Sequence, residues 1–410
     1  MRHFRVALVA LATVTCASGL LATVPSEVAY ASGTPITIAL VTSLTGPAAP
    51  EFSTSPAAFK ARIALQNAEG GVNGHKLVPL VVDDQTTQTT SAVQDAISKG
   101  AFGIVSDSSL FFSAAKYPQQ QGIPVTGGDF DGPEWGEQPY TNMFSSDDGS
   151  LNPKYPVNLN VAHFMKEHGG TILGTYGYSV SPSSARAAVG TSEAFVHYGG
   201  KVGVLNTSVP FGGVDFTADA LVAKQKGVNA IFPSTDNDSN FALVTAFKQA
   251  GIKPKVVVLP SGYDPTTPGS PAWQDLQGDY FLSQFRPFSA PNAGTEQMQQ
   301  AMEKYAHWSA TQFPNYSQYE AWLGADLMIK GLELAGKSPT RSSVIKELRD
   351  LKSYNGNGLL PITFNYSTIF GHDPSVSCSW FLKATQSGFS LASATPTCGA
   401  YVPGTSTASS

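Results

Sequence analysis

The sequence predicts an α/β protein made of two successive doubly wound units, each with a mostly parallel sheet. Three observations carry this. From Ile36 to Thr126, short β-branched runs alternate with helical segments that end at glycine. The same alternation restarts near Val157 and runs to Leu259. The chain has 410 residues with 13% charged and 10% aromatic side chains, enough for two cores and unlike a disordered chain. The net charge of −5 comes with no basic block, which argues against a nucleic-acid footprint.

The elements follow in order. Ile36 opens the first strand. Ser55-Pro56 supplies an N-cap and a first-turn proline, and the helix behind it carries Phe59, Ile63 and Ala64 on one face before Gly70-Gly71 stops it. Leu77 to Val82 reads as a strand, Thr90 to Lys99 as a helix, Phe102 to Val105 as a strand, Ser113 to Gln120 as a helix and Ile123 to Thr126 as a strand. In the second unit, Val157 to Glu167 reads as a helix and Thr171 to Thr175 as a strand. Ser181-Pro182 caps a helix to His197, and Val202 to Leu205 is a strand. Asp215 to Lys226 and Ser239 to Ala250 are helices, separated by a strand at Val228 to Phe232 and followed by one at Val256 to Leu259. The remainder starts no third unit. It offers a strand at Tyr280 to Phe285, helices at Thr295 to Thr311, Tyr319 to Ala335 and Thr340 to Leu351, and strand-like runs at Ile362 to Phe364 and Trp380 to Lys383. This tail is expected to complete the two earlier units. Trp273, Trp308 and Trp322 read as core residues.

Arg2 and Arg5 precede an apolar run from Val6 to Val24, and Ala29-Tyr30-Ala31 forms an A-x-A cleavage signal. An export signal removed after Ala31 is expected. The alternative is a lipid anchor on Cys16, although Thr13-Val14-Thr15 fits a lipobox poorly. Removal of the signal leaves Cys378 and Cys398, an even pair that suggests a disulfide in an exported protein, with two free thiols as the alternative.

Ligands of open α/β sheets sit beyond the carboxyl ends of the strands. Here those positions are Thr42 to Phe52, Asp83 and Asp84, Ser106 to Ser109 and Gly127 to Asp131 in the first unit. In the second they are Tyr176, Tyr178 and Ser179, then Thr235 to Asp238, then Ser261 to Tyr263. This is the mixture of hydroxyls, carboxylates and aromatics that a polar small-molecule cleft needs. No nucleophile elbow, P-loop or dinucleotide fingerprint occurs, which disfavours a hydrolase or nucleotide enzyme. Asp83 and Asp84, as strand neighbours, point to opposite faces and do not converge. Asp129 and Asp131 share a side and suit a ligand ammonium or a calcium ion, or simply the turn beside Gly127 and Gly128.

At these loops the chain resembles the solute-binding proteins of branched-chain amino acid ABC transporters, the leucine/isoleucine/valine-binding type of periplasmic binding protein. The motifs are IALVTSLTGP (Ile38 to Pro47), GGVNGHKLVPLVVDD (Gly70 to Asp84), QQGIPV (Gln120 to Val125) with Gly132-Pro133-Glu134, and VDFTADALVAKQKGVNAIF (Val214 to Phe232). The resemblance spans Ile36 to about Lys383. It implies a type I periplasmic-binding-protein fold with three hinge crossovers. The lobes would comprise 32–147 plus about 283–358, and 148–282 plus about 359–398, after a signal at 1–31 and before a flexible tail at 399–410. It implies a monomer that closes on a small ligand and docks on a membrane permease, with no cofactor and no catalysis. A ligand sensor on the same fold is the alternative.

Site residues carry over in part. The serine that holds a ligand carboxylate falls on Ser108, with Ser109 beside it. The segment that binds the ligand ammonium falls on Asp129 and Asp131. The aromatic of the first loop falls near Glu51 and Phe52, and the second-lobe tyrosines fall near Tyr178 and on Asp236. The acid that pairs with the ammonium falls on Ser261, a departure that leaves the ligand open among amino acids, amides, urea and small carboxylates.

Overall fold

The computed structural model describes residues 33–128, 132–147 and 156–404. Five strands form the first sheet: β1 (Ile36–Thr42), β2 (Leu77–Asp83), β3 (Gly103–Asp107), β4 (Val125–Gly127) and β5 (Met143–Ser145). Their order is β2-β1-β3-β4-β5, and every pair is parallel. All five residues of β3 are buried, as expected of a strand covered on both faces by helices.

Nine strands form the second sheet: β6 (Val157–Asn158), β7 (Ile172–Tyr178), β8 (Lys201–Val209), β9 (Ala230–Ser234), β10 (Val256–Leu259), β11 (Tyr280–Ser283), β12 (Val376–Thr385), β13 (Gly388–Leu391) and β14 (Thr397–Val402). The order is β6-β14-β12-β11-β10-β9-β7-β8, with β13 paired to β12. The β7 to β11 pairs are parallel, whereas β12 enters antiparallel to β11. Cys378 on β12 stands directly opposite Cys398 on β14, and the two form a disulfide.

The hydrophobic cores divide the chain in the same way. One core gathers residues from Ile36 to Phe144 and then from Phe285 to Ile369, including Trp322, Met328, Val344 and Leu348. The others gather Val157 to Leu282 and the β12 residues Trp380, Phe381, Leu382 and Ala384. The tail therefore completes both units: helices Ala293–Ala306, Tyr316–Ala335 and Arg341–Asp350 cover the first sheet, and β12 to β14 extend the second. Helix Tyr316–Ala335 approaches the first sheet closely at Gly324. A Cβ there would stand 2.6 Å from Val105 Cγ1, and the Gly324 carbonyl accepts from the Thr126 hydroxyl at 2.7 Å.

Several expectations need correction. Leu359, Leu360, Phe364, Tyr366 and Ile369 pack in the first core, C-terminal to the boundary near 358 that the resemblance implies. Ile362 to Phe364 forms only an isolated bridge between Phe364 and Tyr354. Thr397–Val402 is a strand, although a tail was expected from 399. The helix expected at Val157 to Glu167 is β6 followed by helix Asn160–Glu167, and the helix expected at Ser113 to Gln120 is a 3-10 turn at Phe111–Ser113 followed by Lys116–Gln120. The cap of helix Ser55–Ala68 is Thr54, and Ser55 instead donates to the Phe52 carbonyl at 2.8 Å. The export signal, Cys16, Asp129, Asp131 and the residues after 404 lie outside the described residues.

Candidate functional site

A cleft of about 400 Å³ opens where the strand ends of the two units meet. Its first wall is built by the segment after β1. Asp84, fully buried just past β2, organises it: Oδ1 accepts from the Ser43 hydroxyl at 2.7 Å and the Thr86 amide at 2.8 Å. Oδ2 accepts from the Thr89 hydroxyl at 3.2 Å and from the Ser108 hydroxyl. Thr86 is held with φ of 67°, a conformation costly for a β-branched residue. Its hydroxyl accepts from the Ala48 amide at 3.1 Å. That bond starts the short helix Ala49–Phe52, whose side chains Glu51 and Phe52 face the cleft. The Ser317 hydroxyl holds the Glu51 carbonyl at 2.7 Å. Asp83 is turned the other way and binds the Leu44 and Thr45 amides, as strand alternation requires.

The second wall is built by the ends of β7, β9 and β10. Asp236 caps helix Asn237–Gln249 through the Ser239 amide at 3.1 Å. Its own amide donates to the Tyr178 hydroxyl at 3.2 Å, and that hydroxyl donates to Ser239 Oγ at 2.8 Å. Asn240 Nδ2 reaches Ser261 Oγ at 3.3 Å. Across the mouth, Asn315 Nδ2 donates both to Thr54 Oγ1 at 3.0 Å and to Asp264 Oδ2 at 2.8 Å, tying the first unit to the second.

Phe52, Ser109, Tyr178, Asp236 and Ser261 thus converge on one cleft. Ser108 does not line it: the side chain is fully buried and its hydroxyl is spent on Asp84. Glu51 is the principal residue that the sequence reading passed over, because it marked only an aromatic position there. The available signal was a single carboxylate in an otherwise apolar AAPEF segment at the end of a strand. Phe211, Phe232 and Leu282 add an apolar flank, and Asp147 and Arg186 also line the cleft.

Among the described residues, four cleft-lining side chains carry a buried polar atom without a partner: Glu51 Oε2, Ser109 Oγ, Ser234 Oγ and Asp236 Oδ2. Such atoms are rare in folded proteins and cost free energy unless something satisfies them. Burial, followed by the charge of Asp236, pushes the Glu51 carboxyl up to about 8. Burial also raises Asp236, against the lowering effect of the Tyr178 hydroxyl and Ser239. The fully buried Asp107 behind Glu51 is raised well above the usual carboxylate range, mainly by burial and further by Glu51 and Asp84. The described residues hold no cluster of metal-ligating side chains.

Comparison with known proteins decides the family. The profile of the periplasmic binding protein family matches residues 35–388. The chain belongs to that family. Its members are solute-binding proteins, and the two-walled cleft is where this chain has the geometry to hold a solute. The fold is similar to that of a fatty acid ABC transporter substrate-binding protein from Thermomonospora curvata, at 18% identity over 92% of this chain and 96% of that one, with a TM-score of 0.73. It is also similar to a branched-chain amino acid transporter substrate-binding protein from Streptococcus pneumoniae in complex with isoleucine, at 15% identity over 89% and 99%, with a TM-score of 0.71. A solute-binding protein from R. palustris in complex with benzoate matches at 15% identity over 88% and 97%, with a TM-score of 0.69. No curated protein sequence matches the chain.

Proposed function

We propose that this protein is the extracytoplasmic receptor of an ABC importer, capturing a small organic solute between its lobes and presenting the closed form to a membrane permease. The observation that carries this reading is that both walls of one cleft contribute buried, unpartnered polar atoms, Glu51 and Ser109 from one and Ser234 and Asp236 from the other. A solute that satisfies both walls at once binds the closed form better than the open one, and that difference drives closure. The apolar flank of Phe52, Phe211, Phe232 and Leu282 suits a ligand with a hydrocarbon body behind a polar head. Lobe boundaries near 147, 283 and 370 would place the hinge crossings beside this cleft.

The Cys378–Cys398 disulfide fits an oxidising compartment outside the cytoplasm. No described helix is long and apolar enough to cross a membrane.

A melting-temperature screen over amino acids, amines, amides and carboxylates tests the reading. A true ligand at a hundredfold excess over its Kd stabilises by about 2.7 kcal/mol. Scattering with that ligand should show a smaller radius of gyration. Absence of stabilisation by every class, or conversion of the ligand to a product, would overturn the assignment.

A further inference from the structure

We propose that Glu51 and Asp236, one carboxylate from each wall, form a clamp for a cationic group, so that the solute carries an ammonium or amidinium and its capture expels a proton from Glu51. This rests on the receptor reading above and narrows its ligand class.

The geometry starts with the two acids. Glu51 is only 6% exposed, lines the cleft, and keeps Oε2 free of any partner. Asp236 lines the opposite wall and keeps Oδ2 free, because only Oδ1 is used by the cap of helix Asn237–Gln249. The groups acting on Glu51 come from every side. Asp236 and Asp264 of the second wall press it toward the neutral form, whereas the Asn237 amide and the Ser261 hydroxyl favour its charged form. Asp107 of β3 lies behind it and feels its charge. Helix Tyr316–Ala335 presents Tyr316 to the same cleft, and Asp147 and Arg186 line it from the segment after β5 and from helix Pro182–His197.

Two carboxylates facing each other in a water-poor cleft repel strongly, since Coulomb energies grow as the local dielectric falls. Such an arrangement is tolerated in two ways. Either one acid keeps its proton, or a positive charge stands between them. With Glu51 held at about 8, the first state prevails at neutral pH without a ligand. A ligand cation converts the site to the second state: the Glu51 O–H bond breaks, the proton leaves to solvent, and two carboxylates share one positive charge. The linkage has a definite sign. Below about pH 8 each bound cation displaces a proton, so affinity rises with pH up to that point and flattens above it. A carboxylate or an uncharged amide would instead accept a hydrogen bond from neutral Glu51 and release nothing.

The test begins with a melting screen at pH 7.5 in which each hydrocarbon skeleton is offered as a primary amine, an α-amino acid, an amidine, a carboxylate and an amide. Compounds bearing a cation should be the ones that stabilise. Titration calorimetry of the best compound at pH 7, in phosphate and in Tris, should then show release of roughly 0.9 proton per ligand, given an acid near 8. Affinity should rise close to tenfold between pH 6 and pH 7. Glu51→Gln should weaken binding at least tenfold at pH 8 and remove both the proton release and the pH slope. Its melting at pH 5 without ligand, where wild-type Glu51 is also neutral, should match wild type and so report an intact fold. Binding by carboxylates or amides alone, binding of a cation without proton release, or an unchanged pH slope in Glu51→Gln overturns the clamp and leaves the receptor reading standing. Binding by no compound of any class overturns the receptor reading itself.

Discussion

Asp84 behind the first wall of the cleft and Asp236 in the second are held on opposite terms. Asp84 is fully buried, and both of its oxygens are occupied by four donors from Ser43, Thr86, Thr89 and Ser108. Asp236 in the second wall gives one oxygen to a helix cap and leaves the other facing the cleft. The first carboxylate is therefore structural and the second is available. The difference lies in what surrounds each group, and residue type alone does not reveal it. A buried acid ringed by hydroxyls and amides is a fastener for loops. A buried acid with a free oxygen is a place where a ligand can contribute the missing partner.

The sharpest way to break this contrast is Asp84→Ala. It strips four donors of their acceptor in a site with no water access, and it loosens the Thr86 turn that positions Glu51 and Phe52. We expect a loss of about 3–5 kcal/mol, since each buried donor left without its acceptor costs about 1–3 kcal/mol. Urea unfolding at pH 7 measures it. A loss below about 1 kcal/mol would mean that the first wall does not depend on Asp84.

The second unit has a different fastener. The Cys378–Cys398 bond joins β12 to β14 and closes a segment with a sequence separation of 20, so its reduction should cost roughly 3 kcal/mol on the chain-entropy account. If the two units unfold separately, calorimetry with and without reductant should move the transition of the second and leave the first. Equal shifts in both transitions would show that the units melt as one.

Gly324→Ala is expected to cost about 1–3 kcal/mol by overpacking, because the added methyl would meet Val105 Cγ1 at 2.6 Å and Gly127 Cα at 3.2 Å. This perturbation enters from the helix side of the first sheet, behind the wall. Chemical denaturation should register the loss, while ligand affinity should follow only if the strand ends at Asp107 and Gly127 shift with it.

How much of this was legible in the sequence depended on range. Local signals performed well: Ser181 caps helix Pro182–His197 as its Ser-Pro pair suggested, and Val256–Leu259 is a strand with the bounds read from its apolar run. Long-range pairing was not legible. Thr397–Val402, with its Gly and polar residues, resembles a tail, and it is a strand only because β12 and β6 flank it. Of the residues marked at strand ends, Phe52, Ser109, Tyr178, Asp236 and Ser261 line one cleft, since a parallel sheet places such ends together. Whether a given side chain is free was hidden, however. Ser108 donates to a carboxylate 24 residues earlier in the chain, and Glu51 is pushed up first by its burial and then by the charge of Asp236, far along the sequence. Pairing across that distance decides which serine or carboxylate is already used.

The smallest expected effect on stability, and the most direct probe of the contrast, is Asp236→Asn. Asparagine caps helices about as well as aspartate, so the bond from the Ser239 amide should survive. Burial already disfavours the Asp236 charge, and an amide removes that cost together with the repulsion felt by Glu51. These terms oppose any loss in the cap, and unfolding free energy at pH 7 should change by less than about 0.5 kcal/mol. The consequence should appear instead in Glu51. Relieved of the largest like-charge repulsion on it, it should titrate at a lower pH, readable in the pH dependence of ligand binding as a bend that moves below the wild-type position near 8. A large destabilisation would place Asp236 with Asp84 among the fasteners, whereas an unmoved bend would mean that burial alone holds the proton on Glu51.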